Sequence, residues 1–252
     1  MPSSHWDQLW GAEETVELTP MDREVWHTLR ASVPIKGQRL VELGAGRGLL
    51  SHLALRAGAS AVTLIDASPE AIRLAHTLFQ PNDPAHFVIA DLLQYRPREK
   101  FDVAFSSGLI EHFRGPELES IVRLHCDLSS QWVVLIAPTL YHPNALICRT
   151  RAFRETYGYE RPISPFQMRS LMRVCGLEPV AIKRFDPLYN ILPCWLLPRV
   201  GLPAVDRRFT RWAQKLNRWF SRSGLENSLR DPLRRFGPRL GGLLIAVGRL
   251  PD

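Results

Sequence analysis

Apolar and polar residues follow two alternating rhythms through the first 140 positions. Short apolar runs, "RLVEL" (39–43), "AVTLID" (61–66), "HFVIAD" (86–91), "FDVAFSS" (101–107) and "WVVLIAP" (132–138), read as strands. The segments between them carry apolar residues three and four apart, as in "PELESIVRLHCDL", where Leu118, Ile121, Val122 and Leu128 form one stripe of a helix. Strands alternating with helices predict a parallel sheet built of βαβ units. The continuous apolar run of "WVVLIAP" predicts a strand covered on both faces. Helix starts are marked by Thr19-Pro20 with Asp22, by Ser68-Pro69 and by the segment "SPFQMRSLMRVCG". Beyond that segment the order changes: "LEPVAIKRF" and "GGLLIAVGRL" read as two closing strands. About fifty residues rich in Trp, Arg and Pro lie between them, too many for a bare loop.

Composition narrows the class. A chain of 252 residues with 45% hydrophobic and 23% charged residues is long enough for one α/β domain with an insertion, and it is neither disordered nor fibrous. We expect one domain, with a core at about 20–185 and 241–250 and an insertion at about 186–240. The four cysteines, Cys126, Cys148, Cys175 and Cys194, show no C-x-x-C spacing and read as buried thiols of a reducing compartment. The N-terminal "MPSSHWDQLWGAEE" lacks the basic start and apolar core of a signal peptide. No apolar run approaches the roughly 18 residues that span a bilayer, so a cytoplasmic location is expected.

Charge is unevenly placed. Residues 1–145 hold 12 Lys/Arg against 17 Asp/Glu, and residues 146–252 hold 20 against 8. The basic half suits an acidic partner or is simply a solvated face. In "VDRRFTRWAQKLNRWFSR", Val205, Phe209, Trp212, Leu216, Trp219 and Phe220 form an apolar stripe flanked by Arg and Lys. Three readings fit it: a lid over an acceptor pocket, a helix lying on an anionic membrane through residues 205–222, or a contact with protein or nucleic acid. "HWDQLW" near the N-terminus can fold over a ligand, but Trp6 and Trp10 stand one helical turn apart and core packing is the simpler account.

The candidate chemistry sits at the strand ends, where an open parallel sheet binds its ligands. The first strand ends in Glu42 and a glycine turn, "GAGRG", with Gly44, Gly46 and Gly48 as G-x-G-x-G. Such a turn lets backbone approach a ligand and opens onto a helix N-terminus that favours anions. The second strand ends in Asp66, 22 residues after Gly44, where an acid grips ribose hydroxyls. The third ends in Asp91, which can accept from a purine amine, and the fourth in "SSGLIEHF" with Glu111 and His112.

"VELGAGRG", "LIDAS", "ADLLQY" and "FDVAFSSGLIEHF", in this order and spacing, resemble the successive motifs of class I S-adenosylmethionine-dependent methyltransferases. The resemblance covers about residues 38–140. It implies a Rossmann-like, doubly wound seven-stranded sheet, mostly parallel, with an antiparallel last strand that "GGLLIAVGRL" supplies. It also implies S-adenosylmethionine as cofactor. Glu42, Gly44, Ala45 and Gly46 would surround its methionyl group, Asp66 its ribose, and Ala67, Asp91 and Leu92 its adenine, with Ser107 at the end of the fourth strand.

A nicotinamide-dependent oxidoreductase competes on Asp66 and the glycine turn, although the third glycine falls one residue early and no Tyr-x-x-x-Lys is present. A non-catalytic cofactor-binding module is a further alternative. His112 follows the fourth strand, where the family places residues that face the transferred methyl. It is the candidate base or acceptor-orienting group, or else a histidine that only bonds within its loop. Tyr141 and His142 of "APTLYHP" can line the acceptor pocket. No third ligand joins Glu111 and His112, so no metal is expected. The fourth strand lacks the Asp/Asn-Pro-Pro-Tyr clamp used on planar amino groups. That directs the reading away from nucleic acid and toward oxygen, nitrogen or carbon of a small molecule.

Overall fold

The computed structural model describes residues 3–11, 16, 18–140, 154, 158–185, 228, 232, 235–236, 239 and 241–251. In chain order the elements are α1 (Ser3–Gly11), α2 (Pro20–Arg30), β1 (Arg39–Leu43), α3 (Leu49–Arg56), β2 (Ala61–Asp66), α4 (Pro69–His76), β3 (Ala85–Ile89), β4 (Phe101–Ser107), a 3-10 turn (Ile110–His112), α5 (Gly115–Leu128), β5 (Ser129–Pro138), α6 (Pro165–Val174), β6 (Glu178–Phe185) and β7 (Leu243–Arg249). Among the described residues, every strand and helix expected from the apolar rhythm is present. The third strand is the exception in length: it stops at Ile89, which leaves Asp91 in the loop beyond it.

The seven strands form one sheet in the order β3-β2-β1-β4-β5-β7-β6. β1 through β5 pair in parallel, and β7 inserts antiparallel to both β5 and β6. The chain winds outward from β1 to one edge and then from β4 to the other, so the switch point lies between the ends of β1 and β4.

Alternation along the strands sends side chains to two cores. Val41, Leu43, Ala104, Val133 and Leu135 pack on one face with Ile121, Val122, Met168 and Met172 of α5 and α6. Leu40, Leu64, Phe105, Val134 and Ile136 pack on the other with Val25, Leu29, Leu50 and Ile72 of α2, α3 and α4. Strand β5 is buried continuously from Val133 to Pro138, as an interior strand covered on both sides must be. Each such side chain contributes about 1.5–3 kcal/mol of burial.

The capping signals are realised as well. Thr19 accepts from the Asp22 amide while the Asp22 carboxylate accepts from the Thr19 amide, a reciprocal box at the start of α2. Ser68 caps α4 through Ala71, and Ser164 with Gln167 closes a second box on α6. Helix α3 differs: its N-cap is Gly48 in a left-handed conformation (φ 69°), which brings no side chain of its own. A Cβ there would lie 2.6 Å from Leu64 and 2.8 Å from Ala75, so only glycine lets α3 sit this close to β2 and α4.

Candidate active site

A cavity of about 460 Å³ lies over the ends of β1, β2, β3 and β4, a volume suited to a cofactor-sized ligand. Gly44 and Gly46 line it from the first strand end, Asp66 and Ala67 from the second, Asp91 and Leu92 from the third, and Gly108, Leu109 and His112 from the fourth. Four separate sequence motifs therefore meet in one cavity.

The glycine turn is anchored to its neighbour strand. The amides of Gly44 and Ala45 donate to the Ile65 carbonyl, and the Gly46 amide donates to Asp66 Oδ2 at 2.8 Å. The other oxygen of Asp66 accepts the Ser68 amide at 2.9 Å. Burial raises the Asp66 pKa, and the backbone bonds from Ser68, Gly46 and Ala67 pull it back toward the ionised form. Each oxygen keeps a second lone pair with which a carboxylate can accept from a hydroxyl.

Glu42 is buried one layer below the turn. Its Oε2 accepts both the amide (3.1 Å) and the hydroxyl (2.6 Å) of Ser51. Ser51 is the third residue of α3, so this carboxyl replaces the cap that Gly48 does not supply. Burial pushes the Glu42 pKa up to about 8, against the two Ser51 bonds that lower it. Such a group ionises readily only when a cation approaches.

Asp91 serves two ends. Its carboxylate accepts from the Leu93 amide (3.0 Å) and from Gln94 Nε2 (3.2 Å), which ties the turn after β3. It also lines the cavity with Leu92. Ala45 and Ser107 belong to the same turns but do not line the cavity; Gly108 (φ 76°) takes that place beyond β4.

His112 lines the cavity, and its Nδ1 lies 2.8 Å from the Tyr159 carbonyl. A carbonyl only accepts, so Nδ1 carries a proton, and in the neutral form of the ring that puts the lone pair on Nε2. A second bond, from the Arg161 amide to the Glu111 carbonyl (2.9 Å), pins the same segment to the 3-10 turn. The carboxyl of Glu111 is buried with Oε2 unpaired, and burial together with the charge of Glu160 holds its pKa well above the ordinary range. Behind β4, Ser106 donates to His125 Nε2 (3.0 Å) while His125 Nδ1 donates to the Ile121 carbonyl (2.8 Å). Burial pushes that histidine down to about 4, so it is a neutral structural link.

Of the two readings of "HWDQLW", helix α1 takes the one that folds over a ligand site. Trp6 and Trp10 are half-buried in the cavity wall, so the simpler account of core packing is the one corrected. Trp10 covers Gly46, where an added Cβ would lie 3.0 Å from its ring. Trp6 meets the His112 ring edge to face, with centroids 5.0 Å apart. Between them, Asp7 Oδ1 accepts the Ser68 hydroxyl at 2.5 Å. The i, i+4 tryptophan spacing was the only sequence signal of this arrangement. Tyr141, His142 and the striped segment 205–222 lie outside the described residues. Among the described residues, no helix is long and apolar enough to cross a membrane.

These strand ends fit a nucleoside with a charged amino-acid tail, and the similarities to known proteins agree. A family model described as a methyltransferase domain matches residues 40–128. A ubiquinone biosynthesis O-methyltransferase of Ralstonia nicotianae is 30% identical over 190 residues, covering 70% of this chain and 76% of that protein. A putative methyltransferase from Haloferax volcanii, solved in complex with the Trm112 methyltransferase activator, aligns with a TM-score of 0.64 at 17% identity, over 100% of this chain and 98% of that one. The N-methyltransferase NodS from Bradyrhizobium japonicum, solved with S-adenosyl-L-homocysteine, aligns over the whole of both chains with a TM-score of 0.62 at 13% identity. The two structures show the shared fold, and the curated relative carries the kinship. The nicotinamide and non-catalytic readings are thereby set aside: the chain belongs to the class I S-adenosylmethionine-dependent methyltransferases, enzymes with S-adenosylmethionine as methyl donor.

Proposed function

We propose that this enzyme methylates a hydroxyl oxygen on a small, planar aromatic acceptor, with His112 as the base. The observation that carries the reading is the His112 ring, set in the cavity wall with its proton committed to the Tyr159 carbonyl. The O-methyltransferase name of the Ralstonia relative supports oxygen as the acceptor atom. Aromatic walls of Trp6, Trp10 and Phe113 support a flat acceptor.

Bound S-adenosylmethionine supplies an electrophilic methyl group. The protein's part is to hold, to align and to take a proton. Gly44 and Gly46 offer close backbone approach to the methionyl end, Ala45 ties their turn to Ile65, and Glu42 lies behind them for the ammonium. Asp66 accepts from the ribose, and Asp91, Ala67 and Leu92 border the adenine, with Ser107 supporting the Gly108 turn. His112 Nε2 accepts the acceptor's hydroxyl proton as the oxygen attacks. An aromatic hydroxyl, with a pKa near 10, lies within reach of an imidazole near 6.5, whereas an aliphatic alcohol does not. Leu109, Phe113 and Trp6 keep water away from the reacting atoms.

On the sequence alone, 186–240 is assigned as an insertion into a single domain, and Tyr141 and His142 are assigned to the acceptor. The basic, aromatic stripe at 205–222 lies on anionic membrane and delivers a lipidic acceptor; the support is its sequence pattern alone. Flotation with anionic against neutral liposomes tests that point, and absence of binding at low salt removes it.

The central test is methyl transfer from S-adenosylmethionine to a panel of phenols and catechols by wild type and His112→Ala. The variant should lose about 10²–10⁴-fold in turnover while binding S-adenosyl-L-homocysteine within twofold. Unchanged turnover overturns His112 as base. Activity on amines alone overturns oxygen.

A further inference from the structure

One helix touches three of the strand-end turns that build the site. From α1, Trp6 reaches His112 beyond β4, Asp7 reaches Ser68 beyond β2, and Trp10 reaches Gly46 beyond β1. Two of these contacts are made by side chains four residues apart, which a helix presents on one face. The third binds a carboxylate to the fully buried hydroxyl that caps α4. Charge-assisted O–H···O bonds of this kind are short and geometrically strict. The helix start of α4 favours a negative charge as well, and Asp7 stands at it.

We propose that α1 completes the active site: Trp6 is a positioning residue that fixes the plane of the His112 ring and offers a wall for a planar acceptor, and the Asp7–Ser68 bond is the latch that holds it there. Tyr159 holds His112 at Nδ1, and the edge-to-face Trp6 ring, 5.0 Å away, bears on the plane of the same imidazole and so on the direction of Nε2. The same tryptophan lines the cavity on the His112 side, while Trp10 lies on the cofactor side. Acceptor wall and cofactor cover thus ride on one rigid element, and the latch sets both. The role of Trp6 toward His112 rests on His112 being the base; the latch does not.

The test uses the full chain saturated with S-adenosyl-L-homocysteine and labelled at histidine, with His112→Ala assigning the His112 ring protons. Trp6→Ala should shift those resonances by removing the indole ring current, and Trp6→Phe should restore most of the wild-type position. Asp7→Ala and Ser68→Ala should reproduce the Trp6→Ala shift, while Asp7→Asn, whose amide oxygen still accepts from Ser68, should lie between. Unmoved resonances in Asp7→Ala, in a variant that still binds S-adenosyl-L-homocysteine, overturn the latch. In the second arm catechol is titrated into the same complexes. Trp6→Ala should weaken its binding at least tenfold with S-adenosyl-L-homocysteine affinity within twofold. An equal loss for both ligands, or none for catechol, overturns the acceptor wall. With a catechol that turns over, Trp6→Phe should recover kcat and Trp6→Ala should lower it. The expected ring shifts in Trp6→Ala and Asp7→Ala, together with full turnover in His112→Ala, would remove the base and leave the latch standing.

Discussion

The Glu42 carboxylate accepts two hydrogen bonds from Ser51, nine residues on, and so caps α3 from the neighbouring strand β1. The helix that follows the glycine turn is therefore started by a side chain of the strand before it. Because Gly48 must be glycine for close packing, the cap has to come from elsewhere.

This arrangement makes Glu42 a proton reporter. Its folded pKa of about 8 lies above the ordinary 4.5, so its contribution to stability is complete below pH 4.5 and is lost as pH rises through 8. At pH 7 the loss is on the order of 3 kcal/mol. Thermal unfolding of the ligand-free protein should show this decline between pH 5 and 8 as the difference between wild type and Glu42→Gln. Binding of S-adenosylmethionine near pH 7 should release about one proton, read as a buffer-dependent heat in calorimetry. Absence of release would reduce Glu42 to its capping role.

Asp66→Ala removes the acceptor proposed for ribose and the two oxygens that accept the Gly46 and Ser68 amides. Calorimetry should find binding of S-adenosyl-L-homocysteine weakened more than a hundredfold. Asp66→Asn tests whether charge matters, since its amide oxygen can still receive one backbone N–H. Retained affinity in Asp66→Ala would exclude the ribose role.

The Ser106–His125 pair is a structural device on the back of β4. Burial holds His125 neutral, with its pKa pushed down to about 4 from 6.5. A base depressed in this way contributes stability that is present above pH 6.5 and lost as pH falls to 4, on the order of 3 kcal/mol. Ser106→Ala leaves Nε2 unpaired in the core and should cost about 1–3 kcal/mol in denaturant unfolding. Cofactor affinity should change little. A difference in stability between wild type and His125→Leu that grows in favour of wild type from pH 4 to 6.5 checks the assignment.

Gly48→Ala should destabilise by about 2–5 kcal/mol, since a left-handed backbone is strained for alanine and the new methyl meets Leu64 and Ala75. Gly37→Ala, with φ 77° and open space around it, should pay only the first cost, about 1–2 kcal/mol. Equal midpoints for the two variants would mean that the tight packing at Gly48 contributes nothing.

Elements were legible because their causes are local. An apolar rhythm depends on near neighbours, and Thr19, Ser68 and Ser164 each cap a helix that begins one residue later. The strand-end acids were legible for a related reason: a parallel sheet puts all its carboxyl ends on one edge, so Asp66, Asp91 and His112 share a cavity once the order of strands is known. The reading of Glu42 was incomplete. An acid closing an apolar strand suggested a charged partner, but its observed partner is Ser51, a residue that no motif marked.

By itself the sequence determined the seven strands and the parallel winding of the first five, because periodicity, caps and glycine turns act over a few residues, and its motifs resembled those of the family that brings the cofactor. Only the tertiary structure decided which side chains meet across long separations. Trp6 stands on His112, Asp7 on Ser68 and Ser106 on His125 because helices pack onto a twisted sheet at positions set by the whole core. Such encounters leave no spacing along the chain from which they could be read.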